Sequence, residues 1–371
     1  MSNRVIVMDI GAYSSKVGFA GEDTPSLEFF TRVGKPKYQD LDKKFMKLDQ
    51  EIYVGDEIQS VGLYKIFRPV QNGKIVDWDY FKKIIDYSFY NLRVDPTLVN
   101  VLFSIQPLFP TEDLKRLFRL FLEEIQCRAF YPLLDTTLVL YSGGFQTGLV
   151  VELGESSTRI VPMYNGFQLN HAVEVLEIGG SVLTKYMGEV VEDTTGFSPD
   201  SSIRREIMRA LKEKACFVSL DYKEDLRRSE QYKKEYYLPD GSTISLSKER
   251  FVVPELIFSP KSSYEFSPLH IAILDVIERC DVDLRPELLN KIFLSGGSSM
   301  FPNLKSRLYQ ELELELARRE KENQFVKIIA PRERTNSVWI GGSILALLPE
   351  FSERWITRAS YFRNGIPKHL L

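Results

Sequence analysis

Three short segments carry residue types that could do chemistry together. In Asp9-Ile10-Gly11-Ala12-Tyr13-Ser14-Ser15-Lys16, a carboxylate and an amine stand at the two ends of a turn of mostly small residues. Backbone N–H groups at the tip lie between the two charges. The design recurs in Glu152-Leu153-Gly154-Glu155-Ser156-Ser157-Thr158, again a small-residue turn behind an acid. The third segment is Ser295-Gly296-Gly297-Ser298-Ser299. Its glycines let backbone approach a flat base or a phosphate closely, and its hydroxyls suit a nucleotide contact. Taken alone, this last segment would be an ordinary turn. Other chemistry is disfavoured. The chain has only three histidines (His171, His270, His369) and three cysteines (Cys127, Cys216, Cys280), none at metal-ligand spacing, which argues against a zinc enzyme or a Cys–His hydrolase.

Strands must hold these turns. Arg4-Val5-Ile6-Val7-Met8 and Val17-Gly18-Phe19-Ala20 flank the first, and β-branched residues dominate the opening stretch. Gly148-Leu149-Val150-Val151-Glu152 and Arg159-Ile160-Val161-Pro162-Met163-Tyr164 flank the second. Helical patterns over 113–127 and 136–141 lie between the two hairpins. A repeated β-turn-β unit with helices between predicts an internal duplication and two related lobes facing each other. Further helices are expected from Trp78 onward and over 204–218. The charged runs 34–49 and 221–235 read as solvated surface. Pro239-Asp240-Gly241-Ser242 marks a turn between short strands. The glycine pair in Ser337-Val338-Trp339-Ile340-Gly341-Gly342-Ser343-Ile344 opens an apolar helix and predicts tight packing.

Composition bounds the rest. A chain of 371 residues allows two or three domains or one large bilobal body. Its 44% hydrophobic content is enough for a substantial core, so a disordered tail is excluded. The net charge of −3 excludes a global basic footprint for nucleic acid, and no direct nucleic-acid binding is expected. The apolar stretch before Asp9 is too short for a signal-peptide core, and no run of about 18 apolar residues suggests a membrane span. Three dispersed cysteines read as free thiols in a reducing compartment. An intracellular site is therefore expected, in the cytoplasm or cytoskeleton or else the nucleus.

Ten segments, in order, resemble the actin family over nearly the whole chain. They are Asp9-Ile10-Gly11 through Lys16-Val17-Gly18-Phe19-Ala20-Gly21-Glu22-Asp23, Tyr53-Val54-Gly55-Asp56-Glu57, Lys74-Ile75-Val76-Asp77-Trp78-Asp79, Tyr141-Ser142-Gly143-Gly144, the turn at Glu152 to Thr158, Val161-Pro162-Met163-Tyr164-Asn165-Gly166, Lys212-Glu213-Lys214-Ala215-Cys216-Phe217-Val218, Leu238-Pro239-Asp240-Gly241, Leu294-Ser295-Gly296-Gly297, and Ser337-Val338-Trp339-Ile340-Gly341-Gly342-Ser343.

The resemblance implies an α/β actin-like ATPase fold, shared with sugar kinases and Hsp70. It would have two duplicated lobes, each with a five-stranded sheet, around a nucleotide cleft, and four subdomains. The first lobe would run over 1–140, with an outer subdomain at about 32–68 and a return at 335–371. The second would run over 141–334, with an outer subdomain at about 182–258. The implied cofactors are ATP or ADP with Mg²⁺ (or Ca²⁺). Asp9 and Glu152 would hold the metal's waters. Gly11, Ala12, Tyr13, Lys16, Gly154, Glu155, Ser156, Gly180, Lys212, Glu213, Gly296, Gly297, Ser298 and Phe301 would contact the nucleotide.

Departures from the family pattern sharpen the expectation. Ala12 removes a hydroxyl from the first loop, and Tyr13 is bulky there. The family's water-positioning glutamine falls on Asp135 and its nearby histidine on Arg159. An aspartate accepts from a water but cannot donate as an amide does, and Arg159 could pair with Asp135 or stabilise phosphate charge. Slow or altered hydrolysis is expected, a weak ATPase at most. The segment 35–49, which in the family inserts into a neighbouring subunit, is charged here. The plug-like segment 259–268 is polar. Residues 311–323 extend a helix that is shorter in the family.

The implied partners are further copies of this chain in a filament, or other actin-family subunits. A groove near Tyr141, Gly144, Phe167, Leu345 and Leu348 would receive amphipathic helices. The first functional expectation is a structural subunit of a filament or multiprotein assembly, as a divergent actin-related protein. A filament-forming cytoskeletal ATPase and a nuclear subunit of a chromatin-remodelling complex are the alternatives.

Overall fold

The computed structural model describes residues 4–37, 51–58, 61–197, 201–238, 241–321 and 324–371. The chain divides into two compact α/β units. One comprises Met1–Gln146 with Asn336–Leu371, the other Thr147–Thr335.

In the first unit, the apolar strands Val5–Ile10, Asn100–Ile105 and Ala129–Leu134 run parallel at the sheet centre. Near-continuous burial of their side chains is what a sheet covered on both faces requires. Ser14–Phe19 returns antiparallel on Val5–Ile10, and Leu27–Phe30 follows it. Trp339, fully buried, donates its indole N–H to the Val7 carbonyl at 3.2 Å. The helix Ser337–Leu345 lies against Asp135–Ser142 so closely that a Cβ on Gly341 would sit 1.8 Å from the Leu138 carbonyl oxygen. Tight packing is thus the reason for a glycine there.

The second unit repeats the plan. Gly148–Leu153 pairs antiparallel with Thr158–Tyr164 and parallel with Ile292–Ser295, which is followed by Ile328–Ile329. The helices Gly180–Thr195, Ser201–Ala215, Leu269–Arg279 and Leu304–Arg318 contribute to its apolar core.

Among the described residues each main sheet has six strands, one more than the five expected. Short segments supply the additions: Ile356–Thr357 pairs with Ala129–Leu134, and Glu174–Leu176 with Thr158–Tyr164. Both satisfy edge N–H and C=O groups that would otherwise be open.

The helix expected from Trp78 spans Trp78–Leu92, with the Asp77 carboxylate accepting from the Tyr80 N–H at 2.9 Å. The helix expected over 113–127 is broken differently. Thr111–Phe118 is α-helical, and Arg119–Glu124 widens into a π-turn, where Phe121 stacks on Phe130 at 4.5 Å. The helix expected over 204–218 instead spans Ser201–Ala215, because Phe217 and Val218 donate their N–H groups to Arg250 and Pro302.

The plug-like segment folds onto its own unit. Lys261 sits 4.3 Å over the Tyr186 ring, and Tyr264 and Phe266 pack against the core. The extended helix ends at Arg318, beyond which Arg319 pairs with Asp275, Glu278 and Glu315 at 3.0–3.1 Å. Most of the charged run 34–49, the turn residues Pro239 and Asp240, and Glu322 and Asn323 lie outside the described residues.

All three cysteines are free and buried. Burial pushes the Cys127 and Cys216 thiols up to about 12 and raises that of Cys280. No helix among the described residues is long and apolar enough to cross a membrane.

Candidate functional site

The two hairpins close in the same way. In the first unit the Gly11 N–H donates to the Ser14 carbonyl at 3.0 Å. In the second the Gly154 N–H donates to the Ser157 carbonyl, also at 3.0 Å. The strand register then sets Asp9 directly across from Lys16, and Glu152 directly across from Arg159. Each tip therefore has an acid and a base on facing strands just below it.

In the first unit, Asp9 accepts from the Ser104 hydroxyl at 2.8 Å; Ser104 arrives on the neighbouring parallel strand. Tyr13 turns its ring onto Phe30, edge to face at 5.2 Å, while its carbonyl accepts from the Thr31 N–H at 2.8 Å. Its bulk is thereby absorbed by Phe30. Ala12 is half-buried. Asp135, only 4% exposed, opens the helix Asp135–Ser142 directly after the strand Ala129–Leu134.

In the second unit, the Arg159 guanidinium pairs with the Glu152 carboxylate. Glu155, at the tip, is held by Arg209 at 2.5 Å and Arg205 at 3.2 Å. The helix Gly180–Thr195 begins against this loop: the Gly180 and Ser181 N–H groups donate to the Gly154 and Glu155 carbonyls at 2.9 and 2.8 Å. Glycine is needed at 179, because a Cβ there would lie 2.6 Å from the Glu155 carbonyl oxygen, whereas one on Gly180 would meet the movable Glu155 carboxylate at 2.5 Å.

Lys212, 4% exposed, donates to the Gly180 carbonyl at 2.8 Å and to the Thr184 hydroxyl at 2.9 Å. Burial holds its ammonium below the ordinary lysine range, against the opposing pull of Glu155. Glu213, next on the helix, is exposed.

The double-glycine turn reaches the same loop. The Ser298 hydroxyl donates to the Gly154 carbonyl at 3.1 Å. Gly296 has φ +86, and a Cβ there would meet the Leu153 carbonyl at 2.4 Å. Gly297 faces open space. Phe301 belongs to the apolar core at 8% exposure.

The second unit thus gathers Glu152, Gly154, Glu155, Arg159, Gly180, Lys212, Gly296 and Ser298 into one cluster, with Ser156 on the loop itself. Sequence reading missed Ser104, Gly179, Thr184, Arg205 and Arg209. Arg209 stands three residues before Lys212, on the same helix face, and that spacing was a usable signal.

The expected groove residues are distributed over both units. Tyr141, Gly144, Leu345 and Leu348 belong to the first unit; Leu345 is buried and Leu348 exposed. Phe167, 77% exposed, belongs to the second.

A comparison with protein families matches residues 1–367 to the family described as Actin. The chain belongs to the actin family, and the membership supports an actin-like, nucleotide-binding protein. The family binds ATP or ADP with a divalent cation. Here the second unit's donor set does not fit a cation well, because Glu152 is already paired with an arginine. Among the described residues no group of three or more His, Cys, Asp or Glu side chains is placed to hold a metal ion.

Proposed function

We propose that the chain is an actin-like structural subunit that binds ATP or ADP and hydrolyses it slowly. The observation that carries this reading is the matched pair of hairpins, each closed by a glycine-to-serine backbone bond at 3.0 Å over a facing acid and base. Backbone N–H groups at such tips are preorganised for phosphate oxygens and need no side-chain ordering.

Gly11, Ala12, Tyr13 and Lys16 form the phosphate contacts of the first hairpin, and Gly154, Glu155 and Ser156 those of the second. Gly180, Lys212, Glu213, Gly296, Gly297 and Ser298 shape the nucleoside side. Phe301 supports the turn from the core. Asp135 and Arg159 stand for the groups that orient the attacking water. Asp135 accepts but does not donate when ionised, and Arg159 is paired with Glu152, which supports slow hydrolysis. A cation near Asp9 and Glu152 would supply charge to the phosphates.

Titration with a fluorescent ATP analogue tests binding. Single-turnover phosphate release tests hydrolysis; a rate equal to that of conventional actin would sink the slow-hydrolysis reading.

The chain's place is in an assembly. Lys261 and its neighbours fold back on their own unit, which supports a subunit whose contacts diverge from those of conventional filaments. High-speed pelleting with Mg-ATP at tens of micromolar is the check; recovery in the supernatant excludes self-assembly into filaments. The three free thiols support an intracellular site.

A further inference from the structure

Resting on the nucleotide reading above, we infer that Arg334 is a positioning residue for the bound nucleotide: acting through Ser299, its guanidinium holds the double-glycine turn 296–299 in the one shape that serves the nucleoside side of the site.

The grip has two points. The Arg334 Nε donates to the Ser299 hydroxyl at 3.0 Å, and its Nη2 donates to the Ser299 carbonyl at 2.9 Å. Its Nη1 donates to the Pro331 carbonyl at 2.9 Å, which anchors the fork to the chain three residues earlier. Ser299, fully buried, passes the constraint on: its hydroxyl and its N–H both donate to the Gly296 carbonyl, at 2.6 and 3.1 Å. The Gly296 N–H in turn donates to the Arg334 carbonyl at 3.3 Å, and the Ser295 hydroxyl does so at 3.4 Å. Arg334 therefore meets both ends of the turn, its side chain at Ser299 and its backbone at Gly296. Hydrogen bonds linked in such a ring polarise and strengthen one another.

The turn needs this constraint. Gly296 sits at φ +86, and Gly297 has nothing within 4 Å of where a Cβ would stand. Glycines lose more conformational freedom on ordering than any other residue. A turn ordered before the ligand arrives removes that cost from binding. The same turn reaches the phosphate hairpin, because the Ser298 hydroxyl donates to the Gly154 carbonyl at 3.1 Å.

The partners of Arg334 are all neutral. Elsewhere in the unit, Arg307 and Arg319 answer Glu255 and Glu278. Among the described residues no carboxylate pairs with Arg334, and burial alone lowers its pKa. Its charge strengthens the hydrogen bonds to Ser299, and only a planar fork spans both Ser299 oxygens and Pro331 at once.

The test is titration of the full chain with fluorescent analogues of ATP and ADP, at a temperature well below the unfolding midpoint of each variant. Arg334→Met is expected to bind both about tenfold more weakly, the cost of ordering about one residue's backbone. Arg334→Lys keeps the charge but not the fork, so it is expected to lose about fivefold, and it carries the test if the methionine variant does not fold. Ser299→Ala is also expected to lose about fivefold, and adding it to Arg334→Met should weaken binding by no more than about twofold further. A lowered unfolding midpoint with affinity unchanged in these variants shows a purely structural arginine and overturns the inference. Loss of ATP affinity with ADP affinity kept overturns it too, because it places Arg334 at the terminal phosphate. Full affinity in Arg334→Lys, or independent effects of Arg334→Met and Ser299→Ala, also overturns it. Absence of binding by the unaltered protein overturns the nucleotide reading, and this inference with it.

Discussion

Lys212 lies buried at the start of the helix Gly180–Thr195, its ammonium donating to the Gly180 carbonyl at 2.8 Å. A charge there costs desolvation, which the depressed pKa registers. Replacing it by methionine is therefore expected to leave stability unchanged or raise it by about 1 kcal/mol, while ATP affinity falls at least about threefold. The pH dependence separates the two proteins. The native lysine binds its proton less tightly than the unfolded one at 10.5, so wild-type stability rises as pH climbs toward 10.5. Urea unfolding at pH 8 and pH 10 should show that rise in wild type and its absence in Lys212→Met.

Gly341 should be nearly irreplaceable. A methyl group placed 1.8 Å from the Leu138 carbonyl forces two helices apart. Gly341→Ala is expected to cost about 3 kcal/mol, the upper end for overpacking. Gly297→Ala, at a position facing open space, is the control and should stay within about 0.5 kcal/mol. Equal denaturation midpoints for the two variants would contradict the packing argument.

Arg307 and Glu255 form a buried two-point pair at 2.9 and 3.1 Å, with Arg307 also donating to the Ser219 carbonyl at 2.6 Å. Burial raises the Glu255 carboxyl, and Arg307 opposes that rise. Arg307→Leu strands the carboxylate and is expected to destabilise by about 3–5 kcal/mol. Adding Glu255→Leu should recover most of that loss. A double variant as unstable as the single one would show that the pair is not what matters.

His270 is the acid-sensitive point of the second unit. It stacks on Phe258 at 6.4 Å and has the Glu311 carboxylate 4.0 Å from its Nε2. Glu311 and Glu315 favour its proton, Arg307 and Arg318 oppose it, and burial is the largest influence, so its pKa lies below 6.5. The unfolded chain then binds more protons in that window. Stability is full above 6.5 and is lost as pH falls through the native value. His270→Gln should flatten the difference between urea midpoints measured at pH 7.5 and pH 5.5.

The α/β architecture was legible from sequence because short, β-branched apolar stretches and small-residue turns repeat in order, and Asp9 to Lys16 and Glu152 to Thr158 stand out in the text itself. The Gly341 contact was legible as tight packing, though its partner Leu138 was not, since nothing local names the opposing helix. Arg159 stood out as a departure from the family pattern, but its carboxylate partner Glu152 did not. Its engagement with Glu152 depends on strand register, which a hairpin fixes only once the turn length is known. Arg205 and Arg209 escaped notice because their partner Glu155 is some fifty residues earlier in the chain. That Phe301 also joins the apolar core was not legible, because its neighbours there come from several distant segments.

The burial of all three thiols has a practical consequence. Alkylating reagents require thiolate, and none of these sulfurs offers it to solvent near neutral pH. One cysteine introduced at an exposed position such as Ala359 would then be the single point of maleimide attachment on the native protein. A fluorophore could follow assembly or nucleotide exchange without first stripping the chain of its own cysteines.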